Sequence, residues 1–125
     1  MATAFNYDLA KQVGLGEKTE FNYFCKVKIE RDYSEDEIWE NYYWYLERLL
    51  PVCEEVGLRL ALHPDDPPIE NLAGVARVFG NFEIFRRAMQ KFDSPMHGLD
   101  FCHGCWSEMH GGEGVLDAMR YFGER

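Results

Sequence analysis

The chain has 125 residues, of which 46% are apolar and 28% charged, and its net charge is -9. That is enough for one domain with a modest core, in the balance usual for globular proteins. The acidic surplus speaks against nucleic acid and anionic membrane as partners, because phosphate recognition needs basic patches, and no run of about 18 apolar residues offers a membrane span.

The opening residues, Met1-Ala2-Thr3-Ala4-Phe5-Asn6-Tyr7-Asp8, lack the basic and apolar regions of a signal peptide, so a cytoplasmic location is expected. Residues 1–20 read as a loop region around Gly14 and Gly16. Residues 21–30 carry apolar side chains at Phe21, Tyr23, Cys25, Val27 and Ile29. That alternation favours a strand and leaves a short helix open. Ser34-Glu35-Asp36-Glu37 is a capping box, with three carboxylates where a helix N-terminus favours them. Ile38, Tyr42, Tyr45, Leu46 and Leu49 then recur at helical spacing, widened by Trp39, Tyr43 and Leu50. Pro51 is expected to kink or interrupt this helix, which resumes over 52–56 and stops at Gly57.

A buried strand is expected over 58–63, where Leu58, Leu60 and Leu62 alternate with Arg59 and Ala61. His63 precedes Pro64 and is therefore biased to an extended, strand-end conformation. Asp65-Asp66-Pro67-Pro68 reads as a rigid acidic turn. Residues 81–91 predict a second helix capped by Asn81 and stopped at Asp93-Ser94-Pro95. A second strand is expected over Gly98–Cys102. His103-Gly104-Cys105 and Gly111-Gly112 read as a glycine-rich loop, and Val115–Phe122 as a third helix ended by Gly123. The order α-β-α-β-α implies a parallel sheet, and such sheets gather reactive groups at the C-terminal ends of their strands.

His63 and Cys102 stand at two such ends. A neutral imidazole nitrogen and a thiolate are donors for zinc, ferrous iron or manganese. The plainer readings are a structural histidine and a small buried thiol. Asp65 or Asp66 could orient His63, or simply form the turn. The four cysteines, Cys25, Cys53, Cys102 and Cys105, are not expected to form a disulfide framework in a reducing compartment. Cys102-x-x-Cys105 is half of a structural zinc motif, which His97 or His110 would extend. A redox role for the pair is disfavoured, because no helix start is legible at Cys102.

Several blocks resemble mannonate dehydratase. They are Trp39-Glu40-Asn41, Leu50-Pro51-Val52, Glu54-Glu55-Val56-Gly57, the nine residues Leu60-Ala61-Leu62-His63-Pro64-Asp65-Asp66-Pro67-Pro68, and Asp93-Ser94-Pro95 through Gly98-Leu99-Asp100-Phe101-Cys102-His103-Gly104. The resemblance runs from about residue 33 to the C-terminus, so the chain is read as one domain over 1–125 with a family-like part over 33–125. It implies an α/β fold that is part of a (β/α)8 TIM barrel of the xylose-isomerase type. It also implies a hydro-lyase that removes water from D-mannonate to give 2-dehydro-3-deoxy-D-gluconate in hexuronate (glucuronate) catabolism, with Mn2+ or Fe2+ as cofactor. The implied metal ligands in this chain are His63 and Cys102. The family's other ligands, and most of its acid–base residues, are expected beyond residue 125, so no general acid or base is assigned. Such a barrel needs about 250 residues. The chain is therefore expected to be a fragment, inactive alone, or a reduced relative that completes its sheet by homo-oligomerisation. The alternative is a non-catalytic zinc-binding or interaction module using Cys102, Cys105 and His110. His103 and Cys105 depart from the family pattern, which more often has small hydroxyl residues there.

Overall fold

The computed structural model describes Asp8, residues 31–72 and residues 74–123. The loop expected over 1–20 and the strand expected over 21–30 lie outside the described residues. Three helices and four short strands follow one another: α1 (Glu35–Val56), β1 (Leu60–Leu62), β2 (Asn71–Leu72), β3 (Val75–Ala76), α2 (Phe82–Lys91), β4 (His97–Leu99) and α3 (His103–Phe122). No helix among the described residues is long and apolar enough to cross a membrane.

The capping box forms as its sequence dictates. The Glu37 amide donates to Ser34 Oγ at 3.3 Å, and the Ser34 amide donates to Glu37 Oε2 at 3.0 Å. Gly57 closes α1 at φ 71°, a left-handed conformation that costs a residue with a Cβ about 1–2 kcal/mol. Of the kink or interruption expected at Pro51, the interruption does not occur: the helix runs through it. Both Pro51 and Glu47, whose carbonyl loses its helical donor there, are exposed, so water can take that place. The buried stripe is Trp39, Leu46, Leu50 and Cys53. Trp44 and Tyr45 face outward, which narrows the aromatic face expected from spacing.

β1 and β4 pair in parallel, with Leu60 opposite His97 and Leu62 opposite Leu99. Because α2 lies between them in sequence, this is the expected β-α-β arrangement. β1 is shorter than expected and only half-buried, with Leu58 exposed. The β2–β3 hairpin was not anticipated. It turns at Gly74 (φ 89°), where the Gly74 amide donates to Asn71 Oδ1. Its two-residue strands carry too little periodicity to be read from sequence.

The core joins all three helices: Trp39, Val78, Phe85, Ala88, Met89, Trp106, Val115, Ala118 and Phe122 form one cluster. The stretch expected to be a glycine-rich loop is helical instead. Only Gly111 breaks α3, at φ 69° and ψ 177°, in a region open essentially to glycine alone. Trp106, on the first half of α3, is fully buried and stacks on Phe101 at a centroid distance of 5.0 Å. That packing holds the segment helical despite its glycines.

Candidate metal centre

The parallel pairing carries β1 and β4 in one direction, so the residues after both strands emerge on the same side. His63 follows β1 directly. After β4 the ladder continues for one more bond, from the Asp100 amide to the Leu62 carbonyl at 3.0 Å. The chain then turns, and Cys102 becomes the N-cap of α3. One nitrogen of His63 and the sulfurs of Cys102 and Cys105 all lie within 4.8 Å of one another. Cys105 is three residues into the same helical turn, with its Sγ 3.4 Å from that of Cys102.

Backbone fixes the tautomer of the imidazole in its neutral form. His63 Nδ1 lies 2.6 Å from the Pro64 carbonyl oxygen, which can only accept. Nδ1 therefore carries the proton, and Nε2 keeps the lone pair that a metal would need. Of the two carboxylates weighed for orienting His63, Asp65 is engaged elsewhere. Asp65 accepts from the Phe79 amide through Oδ2 at 2.8 Å and pairs with Arg77 Nε through Oδ1 at 2.9 Å. The Asp66 carbonyl accepts from Arg77 at 2.9 Å. These bonds fix the acidic turn against the segment after the hairpin, and the turn in turn places the Pro64 carbonyl.

The two thiols differ. The Cys102 pKa is lowered by the Cys105 backbone N–H first, then by the Cys105 thiol and His63, with the Gly104 N–H assisting. These amides belong to the open N-terminus of α3, where partial positive charge favours a thiolate. The Cys105 thiol is pushed up to about 12 by burial, then by the Cys102 sulfur and by the charges of Asp66 and Glu108. At His63 desolvation disfavours the imidazolium. The hydrogen bond to Cys102, the Pro64 carbonyl and the Asp100 charge outweigh it, so the pKa is raised.

Neither of the other histidines weighed for a zinc site joins this group. His97 is buried at the opposite end of β4, where its Nε2 shares a hydrogen bond of 2.8 Å with the Tyr42 hydroxyl. His110 accepts the Phe82 amide at 3.1 Å and so helps cap α2. The expected zinc set of Cys102, Cys105 and His110 is thus corrected, with His63 in the place of His110. A cleft of about 640 Å³ beside Arg59, Leu60, Pro95 and His97 lies at the entry ends of the strands, away from the thiols. The donor set suits a divalent metal: a neutral imidazole in a fixed tautomer, one thiol held towards its thiolate form, and a second thiol in contact with the first.

The family model described as D-mannonate dehydratase (UxuA) matches residues 13–125. A mannonate dehydratase of Thermotoga petrophila is 36% identical over 97 residues, covering 78% of this chain and 26% of the relative. Mannonate dehydratase 2 of Halalkalibacterium halodurans is 32% identical over 90 residues, 72% of this chain and 26% of the relative. A mannonate dehydratase of Enterococcus faecalis is 41% identical over 71 residues, 57% of this chain and 20% of the relative. The chain spans about a quarter of the length of the first two relatives, 26% in each case. No solved structure gives a significant match.

Proposed function

The chain belongs to the D-mannonate dehydratase family, and from that premise we propose that it contributes part of a metal-dependent mannonate dehydratase. The observation that carries this reading is the meeting of His63 and Cys102 beyond the C-terminal ends of two parallel strands. The β-α-β unit is then a segment of a (β/α)8 barrel, and the cofactor is Mn2+ or Fe2+, held in this chain by His63 Nε2 and Cys102 Sγ. When bound, the metal supplies positive charge that lowers the cost of removing a proton next to a carboxylate. The chain's own contribution is positional. The Pro64 carbonyl keeps the His63 lone pair available, and the start of α3 keeps Cys102 ready to lose its proton. Among the described residues no further donor and no acid–base group is assigned. The substrate is D-mannonate, the product 2-dehydro-3-deoxy-D-gluconate, and the compartment the cytoplasm.

A chimera tests this, with the chain replacing the matching segment of the Thermotoga maritima mannonate dehydratase. It is expected to dehydrate D-mannonate with added Mn2+ and to lose that activity on His63→Ala or Cys102→Ser. A folded, active chimera indifferent to both substitutions would overturn the assignment. A second reading, a non-catalytic zinc module, is favoured by the additional thiol of Cys105 in the donor group. Stoichiometric zinc in the purified chain, lost on Cys105→Ser, would select it.

A further inference from the structure

We infer that Cys102 and Cys105 form a redox-active dithiol that closes to an intramolecular disulfide. The two sulfurs are already 3.4 Å apart, one at the N-cap and one in the first turn of α3. A disulfide needs an S–S separation of about 2.05 Å and Cβ atoms about 3.5–4.5 Å apart, closer than the roughly 5–6 Å usual for i and i+3 on a helix. Closure therefore takes side-chain rotation with a small adjustment of the backbone at Cys102, which as N-cap stands outside the helical conformation. The pair is also asymmetric in access: Cys102 is half-buried, whereas Cys105 is 3% exposed beneath it. Cys102 can meet a small external disulfide, from which Cys105 is shielded. The third described cysteine, Cys53, is buried on α1 and is not part of this donor group.

The oxidant is a low-molecular-weight disulfide. The Cys102 thiolate attacks one of its sulfurs, the external S–S bond breaks, and the departing thiolate takes up a proton. Cys105 then loses its proton and attacks the Cys102 sulfur of the mixed disulfide, releasing a second external thiol. Two protein thiols are oxidised and one external disulfide is reduced to two thiols. A disulfide sulfur is no thiolate ligand, so closure also withdraws Cys102 from any metal. That consequence alone rests on the metal reading above.

The chain can be equilibrated with mixtures of oxidised and reduced glutathione, quenched in acid, alkylated and cleaved with trypsin. Residues 92–120 form one peptide that contains Cys102 and Cys105 and no other cysteine. In oxidising mixtures this peptide is expected unalkylated and two hydrogens lighter, and in reducing mixtures doubly alkylated. Cys105→Ser is expected to leave a lasting glutathione adduct on Cys102, and Cys102→Ser to prevent oxidation of the peptide, both in variants with unchanged circular dichroism. A wild-type peptide that stays doubly alkylated in the most oxidising mixture, or that carries glutathione without closing, overturns the inference. Zn2+ added to the reduced chain is expected to shift the midpoint towards more oxidising mixtures. An unmoved midpoint removes the metal consequence and leaves the dithiol standing.

Discussion

His63 and Cys102 depend on each other and on backbone groups more than on the neighbouring carboxylates. Because the metal-free histidine holds its proton above the usual imidazole range, a metal must displace that proton to bind. Affinity for Mn2+ is expected to fall as pH falls, by about tenfold per pH unit for each of His63 and Cys102 that still carries its proton. Competition titrations with a chelating dye across pH would check the slope; a flat profile would remove His63 from the ligand set. His63→Ala and Cys102→Ser are each expected to weaken binding by roughly tenfold or more. Both positions were legible as strand ends, one from Pro64 and one from its place after an apolar run, but as ligands only through the family blocks around them. The third donor was legible only as a spacing. Which histidine meets Cys105 depends on which end of the sheet each leaves, and His97 and His110 leave in other directions.

Among the elements, the starts of α1 and α2 were the most legible, since their caps are written in side chains. Ser34→Ala removes the acceptor for the Glu37 amide and is expected to cost about 1 kcal/mol, measured by urea denaturation. Asn81 caps α2 in the same way, accepting from the Ile84 amide at 3.1 Å. The start of α3 was hidden, because Cys102 makes no side-chain capping bond and glycines follow it. Composition suggested a loop there; burial of Cys105 and Trp106 decided for helix. Gly111→Ala is expected to destabilise by about 1–3 kcal/mol through backbone conformation alone, since a Cβ there meets nothing within 4 Å. A thermal melt unchanged by this substitution would mean that the break in α3 is not required.

For the whole molecule, one core spans all three helices, and in it two fully buried rings, Phe85 and Trp106, meet with centroids 4.9 Å apart. Phe85→Ala is expected to cost about 3–5 kcal/mol, a large share of what a domain of this size has available, and to show as loss of the cooperative denaturation step. The β1–β4 sheet has only two strands among the described residues, so its outer edges can pair with other chain. Concentration-dependent self-association is expected, and sedimentation velocity showing only monomer up to high concentration would contradict it. The β-α-β order was readable from alternation and turn residues, whereas the extent of the sheet was not, because edge partners are set by contacts distant in sequence. The double tie between Asp65 and Phe79, each donating its amide to the other residue, also has a consequence in time. The turn behind His63 can open only when the strand exit after the hairpin opens with it. In deuterated solvent these two amides should exchange together as one cooperative unit, and the lifetime of the donor geometry should be the lifetime of that unit.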